Sequence, residues 1–155
     1  MRCSRRFASD ALALHSEAAI EDRKFSRASA ALRVKDLAWK ISPEAQTTID
    51  GRGNIYGLGS FTSGVFKFSP EGRFMNRFGG PGNQPGQISA ACAIVVDGKG
   101  RVFVSDIKGV QIFDSDGRYL AMFKPDGPAS GMVFNDKNEL FVVERKKVEK
   151  FALNQ

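Results

Sequence analysis

Two hydrophobic patterns divide the chain near residue 42. In residues 9–40 there is no glycine or proline, alanine is abundant, and apolar residues recur at loosely helical spacing. After Pro43, short apolar or alternating runs of β-forming residues are separated by Gly, Asp, Asn and Pro, which is typical of many short antiparallel strands. We therefore expect a helical or disordered leader, 1–42, followed by an all-β part, 43–155.

The all-β part repeats itself. The first unit reads TIDGRGNIYGL and then GVFKFSPEGRFMNRFG, the second VVDGKGRVFVSD and then GVQIFDSDGRYLAMF, and the third VFNDKNELFVVE and then KKVEKF. Asp50, Asp97 and Asn135 hold the same place in the three units, at intervals of 47 and 38 residues. Four strands in meander order within about 40 residues indicate the blade of a β-propeller.

Turn residues set the expected strand boundaries. Asp50 and Asp97 begin hairpin turns in which the aspartate side chain caps the turn and glycine supplies a positive φ, and the third unit replaces those glycines with asparagines. The predicted fold is a partial propeller of about three four-stranded antiparallel blades, at 45–88, 89–128 and, incomplete, 129–155. We expect strands at 54–58, 64–68, 73–78, 94–96, 101–105, 109–113, 118–123, 132–134, 139–143 and 147–151.

Phenylalanines mark the ends of corresponding strands. Phe68, Phe113 and Phe151 end third strands, while Phe78 and Phe123 end fourth strands. Equivalent aromatic residues at equivalent strand ends are expected to pack between adjacent blades, as part of the core.

These residues resemble NHL repeats, the units of a six-bladed propeller. The family pattern runs roughly G-x-G-P-G-Q-F, P-x-G-I-A-V-D, G-x-V-Y-V-A-D, R-I-Q-V-F-D, G-x-F-L. The second unit and its lead-in match it best, over 82–87, 94–97, 101–106, 110–114 and 117–120. The resemblance extends over about 45–151 and leaves the leader out. It implies the fold and leaves the function open, since the family includes RNA-binding, protein-binding and a few enzymatic members.

The chain departs from the family pattern at three kinds of position. Residues 89–92, Ser-Ala-Ala-Cys, replace the proline before the innermost strand, and the arginine before the third strand is missing at Lys108-Gly109. The aspartate that ends the second strand is Gly59 in the first unit and Glu144 in the third.

The number of blades is small for a propeller. Propellers close with about 4 to 8 blades, and this chain carries two nearly whole blades and a third without its last strand. A fragment of a longer protein is the favoured interpretation, and self-association through open blade edges is the alternative. Residues 34–41, VKDLAWKI, offer a third possibility, a strand added to the open edge of the third blade.

Composition changes this picture little. The 155 residues are 42% hydrophobic and 26% charged, as in globular proteins. No window approaches the apolar length of a membrane span, and no apolar stretch follows the first arginines as in a signal peptide. Acidic residues at positions 10, 17, 21 and 22 argue against a transit peptide. The net charge of +6 lies mostly before residue 41, where nine Lys or Arg face five Asp or Glu.

Candidate chemistry is sparse. There is no G-x-S-x-G motif and no phosphate-binding loop, and His15, the single histidine, lies in the leader. Asp114-Ser115-Asp116-Gly117 begins like a calcium loop but lacks the later ligands, so a β-turn is favoured. We therefore predict no catalytic residue, no metal ligand set and no cofactor, and we favour a protein that is not an enzyme.

Five basic residues are the candidates for binding. Arg145, Lys146 and Lys147 form one run, and Arg101 and Arg118 lie in the second unit. In some NHL proteins a basic face that includes aromatic residues binds single-stranded RNA. A solvated hairpin is the favoured interpretation here, so nucleic acid is not the expected partner.

The predicted function is a non-enzymatic propeller scaffold that binds a protein or small ligand within a larger protein or assembly. The alternatives are part of a metal-dependent lactonase- or lyase-like propeller enzyme with a metal on its axis, or an RNA-binding NHL face.

Overall fold

The computed structural model describes residues 46–59 and 63–153, which lie in the structural unit that spans Val34–Gln155. The expected leader, 1–42, falls outside the described residues. Eleven strands form within them: β1 Gln46–Ile49, β2 Ile55–Gly59, β3 Gly64–Phe68, β4 Phe74–Gly79, β5 Ala93–Val96, β6 Val102–Asp106, β7 Gly109–Phe113, β8 Tyr119–Phe123, β9 Gly131–Phe134, β10 Leu140–Val143 and β11 Val148–Phe151.

The strands form three antiparallel meander sheets. The orders are β1-β2-β3-β4, β5-β6-β7-β8 and, with three strands, β9-β10-β11. These sheets confirm the predicted all-β fold of partial propeller blades. All ten predicted strands are present, with boundaries within one residue of the prediction. β1, with the sequence QTTI, was missing from the predicted strands, because its residues are mostly exposed and leave no apolar pattern.

The hairpins between the first and second strands end in side-chain caps. In all three blades an oxygen of Asp50, Asp97 or Asn135 accepts hydrogen bonds from the amides two and four residues later, at 2.8 to 3.0 Å. Asn138 adopts a φ of 60° where the second blade has Gly100 at 80°. These caps satisfy turn amides that would otherwise depend on water, which confirms the predicted turn chemistry.

The apolar core lies between the blades. Side chains of β6 alternate: Val102 and Val104 pack against the first blade, and Phe103 packs against the third. The middle blade is therefore buried on both faces, and fully burying one such side chain contributes about 1.5–3 kcal/mol. The buried cluster between the first and second blades contains Tyr56, Leu58, Val65, Phe78, Ile88, Ala91, Ile94, Val102, Val104 and Phe113.

Aromatic pairs connect neighbouring blades at a repeated position. The ring centroids of Phe78 and Phe113 lie 5.2 Å apart, and those of Phe123 and Phe151 lie 4.8 Å apart. In both pairs the fourth-strand phenylalanine of one blade contacts the third-strand phenylalanine of the next, as predicted. Phe68, the remaining member of the set, instead meets a ring of its own blade.

Polar contacts also cross the blade boundaries. The ammonium of Lys67 donates to the carbonyl of Ser115 at 2.7 Å, joining the first blade to the second. The amide of Gly98 donates to the side-chain oxygen of Asn138 at 2.8 Å, joining the second to the third. Within the described residues, no helix has the length and apolar character needed to cross a membrane.

Candidate functional site: the loop end of the blades

The two ends of the blades differ in their connections. At one end, here called the turn end, the strands join through the tight capped hairpins. At the other, the loop end, lie both connections between blades, 80–92 and 124–130, and the turns 107–108 and 144–147. Longer loops on a rigid frame are where binding sites are usually found. The loop end is therefore the candidate functional site.

The five basic candidates are divided between the two ends. Arg101 and Arg118 follow hairpins of the turn end, whereas Arg145, Lys146 and Lys147 belong to the β10–β11 turn at the loop end. The structure therefore separates the run 145–147 from Arg101 and Arg118. A single basic surface that includes all five residues is not present.

Ion pairs engage two of these five cations. Arg101 Nε lies 2.7 Å from the carboxylate of Asp97, which is itself buried. Lys147 Nζ lies 2.6 Å from a carboxylate oxygen of Asp126 and also contacts Glu149. Hydrogen bonds to these two carboxylates raise the pKa of Lys147. Both cations therefore have acidic partners within the chain.

A buried carboxylate organises the loop end of the second blade. Asp106, the last residue of β6, is 6% exposed. One of its oxygens accepts from the amides of Lys108 at 2.7 Å and Gly109 at 3.3 Å. The other accepts from the amide of Ser89 at 3.3 Å and from Gln111 Nε2 at 2.8 Å. Asp106 thus joins the β6–β7 turn to the connection between blades.

Two side chains of the second blade shape the long connection, 80–92. Lys108 Nζ donates to the carbonyls of Gln87 at 2.7 Å and Gly82 at 3.3 Å. Gln111, fully buried, donates to the carbonyl of Gln87 at 2.7 Å and accepts from the amide of Gly86 at 3.0 Å. Sequence reasoning assigned neither residue a role, although a glutamine inside an apolar strand signals a buried polar partner. The loop is therefore held in one shape by the frame.

Glu144 holds the corresponding position in the third blade. It is 7% exposed, and one carboxylate oxygen interacts with the amide of Gly127 in the connection between blades. The other oxygen has no hydrogen-bond partner among the described residues. Burial raises the pKa of Glu144, and the neighbouring Glu149 raises it further.

The raised pKa of Glu144 predicts a pH-dependent stability. A carboxyl whose pKa is higher in the folded chain stabilises the fold when protonated, and that stabilisation is lost as pH rises through the folded pKa. Glu144→Gln imitates the protonated form at every pH. The melting temperature of this variant minus that of the wild type should therefore become more positive from pH 4 to pH 7. Thermal unfolding monitored by circular dichroism measures this difference.

Glu139 offers a control with the opposite sign. Hydrogen bonds from Asn135 and Lys150 lower the pKa of Glu139, so its ionised form stabilises the fold above the unfolded pKa. The melting temperature of Glu139→Gln minus that of the wild type should therefore become more negative from pH 4 to pH 7. Parallel pH dependence in the two variants would contradict the assignment for Glu144.

Two shallow cavities flank the connection 124–130. One, of about 310 Å³, is lined by Lys124, Pro125, Asp126, Glu149, Lys150 and Phe151. The other, of about 120 Å³, lies between this connection and the turn at 106–109. No group of three or more metal-ligating side chains occurs within residues 46–59 and 63–153.

Comparisons with known proteins identify the fold. No protein-family model matches the chain, and neither does any curated protein. Among solved structures, BamB from Moraxella catarrhalis is similar over 68% of this chain and 30% of its own, with TM-score 0.54 and 17% identity. A streptogramin B lyase has a TM-score of 0.52 and 18% sequence identity, and the match covers 72% of this chain and 42% of the lyase chain. The WD40 repeats of RRP9 have a TM-score of 0.56 and 14% sequence identity, and the match covers 72% of this chain and 39% of the RRP9 chain.

These neighbours are propeller-type proteins, so the similarity confirms a β-propeller fold. At identities below 25%, it concerns the fold alone. The chain spans between 30% and 42% of the lengths of these three proteins.

Proposed function

We propose that the chain is a non-enzymatic, NHL-type binding module that uses its loop end to bind a protein segment with apolar and acidic side chains. The main support for this proposal is the exposure of Ile107, whose side chain is 65% exposed at the turn between β6 and β7. The side chains of both neighbours of Ile107, Asp106 and Lys108, are hydrogen-bonded, and the amide of Ile107 donates to the carbonyl of Ser89 at 3.3 Å. An apolar side chain held outward on a rigid turn loses little entropy on binding.

Exposed cations lie on the equivalent turn of the third blade. Arg145 and Lys146 are exposed there, at the same end as Ile107. A surface that offers an apolar contact and two cations at the same end complements a segment that carries both an apolar residue and carboxylates. Charge complementarity would raise the association rate, and the apolar contact would supply affinity.

The repeated acid at the end of the second strand supports the NHL type. Asp106 and Glu144 are equivalent residues of adjacent blades, and both carboxylates interact with an amide of the connection that precedes their blade. The acidic residue at this repeated position therefore makes the same contact with the preceding connection in both blades, as expected for a structural repeat.

An enzyme is the alternative, because a streptogramin B lyase is among the structural neighbours. Asp106 favours the binding module, since protein donors already occupy both of its carboxylate oxygens. An RNA-binding face is less favoured, since Arg101 and Arg118 lie at the turn end, away from the cations of the loop end.

A random peptide library displayed on phage and selected on the immobilised 155-residue chain tests this proposal. Selected peptides should contain acidic and apolar residues, and Ile107→Asp should weaken their binding about tenfold or more, the effect of losing one interface hot spot. Ile49→Asp is the matched control, because Ile49 is 63% exposed but lies at the turn end.

Three results would overturn the proposal. Equal losses of peptide binding in the two variants would show that the loop end is not the binding surface. Tight calcium binding with a rise in melting temperature, measured by calorimetry, would favour the enzyme. Affinity for single-stranded RNA that falls steeply with salt would favour the RNA-binding face.

A further inference from the structure

The outer edge of β11 lacks the strand that completes the first two blades. In those blades the fourth strand, β4 or β8, pairs antiparallel with the third strand, β3 or β7. β11 is the third strand of the third blade, and within residues 46–59 and 63–153 it pairs with β10 alone. The third blade therefore has an open strand edge where the other two blades carry a strand.

The backbone groups of Val148 and Lys150 point toward this open edge. The amide of Glu144 donates to the carbonyl of Lys147 at 2.9 Å, and bonded and non-bonded pairs alternate along two antiparallel strands. Val148 and Lys150, one and three residues after Lys147, therefore form non-bonded pairs with β10. Their amides and carbonyls face outward, and such groups are the template on which a further strand pairs.

An aromatic contact of the first two blades is also missing at β11. In the first blade the ring of Phe74, which begins β4, lies 6.0 Å from that of Phe68. In the second blade the ring of Tyr119, which begins β8, lies 6.2 Å from that of Phe113. Phe68 is 4% exposed and Phe113 1%. Phe151 holds the same place in β11, but no fourth strand covers it within the described residues, and it is only half-buried.

The shallow cavity of about 310 Å³ lies where this missing ring would be. It is lined by Phe151 and by the connection residues 124–126. In the second blade Tyr119 lies in the corresponding place, against Phe113 and against the connection that precedes its blade. A Cβ added to Gly86 of that connection would be only 3.2 Å from Tyr119 Cβ. The third blade thus leaves open a space that an aromatic side chain fills in the second.

We propose that the open edge of β11 binds an extended segment of a partner polypeptide in which an aromatic residue stands four positions before a phenylalanine. The segment runs antiparallel to β11, as β4 and β8 run along their neighbours. Its first aromatic side chain fills the cavity beside Phe151. Its phenylalanine lies opposite Val148, as the fourth-strand phenylalanines lie opposite Val65 and Val110. Strands added to a sheet edge gain affinity from backbone hydrogen bonds and specificity from side-chain pockets.

The two fourth strands define the spacing. β4 reads FMNRF from Phe74 to Phe78, and β8 reads YLAMF from Tyr119 to Phe123. In both strands the register skips the second residue, a β-bulge that sets the first aromatic residue opposite the phenylalanine of the third strand.

The sequence places the source of the segment in a partner. Nowhere else in the 155 residues does an aromatic residue stand four positions before a phenylalanine, and both occurrences are already paired within their own blades. Residues 34–41, which lie outside the described residues, do not contain the pattern. A second copy of the described blades therefore offers no free segment of this kind.

Charge distinguishes this site from the loop end. The residue before the phenylalanine of the segment lies opposite Glu149, at the position that Arg77 occupies in β4 and Met122 in β8. Like charges directly opposite each other destabilise a strand pair, so a basic or apolar residue is expected there and an acidic one is not. The segment proposed for the loop end is instead acidic and apolar.

Fluorescence anisotropy of a dye-labelled peptide with the sequence of residues 117–124, GRYLAMFK, tests the proposal on the 155-residue chain. The peptide should bind saturably, and replacing its tyrosine with alanine should weaken binding about tenfold or more, the loss of one interface anchor. A methyl group on the backbone nitrogen of its phenylalanine should abolish binding, because that amide faces the carbonyl of Val148. The same methyl group on the nitrogen of its methionine, which points away from β11, is the matched control and should leave binding unchanged.

Lys150 offers a matched pair of substitutions in the chain. Lys150→Pro removes an amide at the open edge and leaves the bonds to β10 in place, and edge strands tolerate proline at such positions. Lys150→Ala removes the same side chain, with its ion pair to Glu139 at 3.0 Å, but keeps the amide. The first variant should lose peptide binding and the second should keep it.

Three outcomes would rule out a partner strand at β11. The absence of saturable binding, or equal effects of the two methyl groups, would show that the edge does not accept a strand. A dimer by light scattering that Lys150→Pro dissociates would identify a second copy as the occupant. Loss of peptide binding in Ile107→Asp would place the peptide at the loop end, so the two proposed sites succeed or fail separately.

Discussion

Replacing Gly117 with alanine is expected to lower the free energy of unfolding by about 3 kcal/mol. Gly117 has a φ of +87°, and a Cβ there would lie 2.4–2.5 Å from atoms of Phe78. The left-handed conformation alone costs a residue with a side chain about 1–2 kcal/mol, and overpacking adds about 1–3 kcal/mol. Phe78 has little room to move, because its ring packs against Phe113.

Gly100→Ala is the matched control for this substitution. Gly100 has nearly the same φ, +80°, but a Cβ there would meet only Ser115 Cβ, at 3.9 Å. It should therefore show the conformational cost alone, about 1–2 kcal/mol. Urea unfolding of the two variants measures the difference, which reports the contact between the first and second blades. Equal losses would mean that Phe78 does not fill this space.

Asp106→Ala should cost about 3 kcal/mol, because it leaves four donors without their acceptor in a buried site, and an unsatisfied buried group costs about 1–3 kcal/mol. The amides of Ser89, Lys108 and Gly109 and the side chain of Gln111 all donate to this carboxylate. Hydrogen exchange of the Ser89 and Lys108 amides should also become faster, since both would lose protection.

Asp114→Ala provides the comparison for Asp106→Ala. Asp114 accepts from the amides of Asp116 and Arg118, both at 2.9 Å, but these contacts are exposed, so water can replace the carboxylate. The loss of stability should be much smaller than for Asp106→Ala. A loss as large as that of Asp106→Ala, or no loss at Asp106, would contradict the structural role of the buried carboxylate.

Much of the blade architecture is predictable because its signals are local. An aspartate or asparagine that caps a hairpin acts within four residues, so Asp50, Asp97 and Asn135 identify three turns without knowledge of the rest of the chain. The packing of Phe78 against Phe113 was also predictable although they lie 35 residues apart, because the repeat places phenylalanines at the ends of the third and fourth strands of successive units. β1 was missed since its exposed QTTI has neither signal.

The organisation of the loop end was not predictable from the sequence. Lys108 and Gln111 act on backbone carbonyls more than 20 residues away, and a backbone acceptor leaves no mark in the sequence. The run 145–147 resembled one basic patch, but Lys147 turns out to be neutralised by Asp126, whose distance along the chain hides the pairing. The separation of Arg101 and Arg118 from that run follows from strand direction, which becomes clear only when the strands are placed in sheets.

The two ends of the blades thus differ in structure. The turn end is closed by repeated local caps that stabilise each blade. The loop end carries the connections, whose shape depends on Asp106 and its neighbours, and it presents Ile107 to solvent. The binding proposed for the loop end would therefore depend on the packing of the blades beneath it.

Nuclear Overhauser measurements between phenylalanine rings in the labelled 155-residue chain report whether the blades stack on one another. Stacked blades should give cross-peaks between the rings of Phe78 and Phe113 and between those of Phe123 and Phe151, whose centroids lie 5.2 and 4.8 Å apart. Strand pairing within each blade that is preserved while both ring contacts are absent would contradict it.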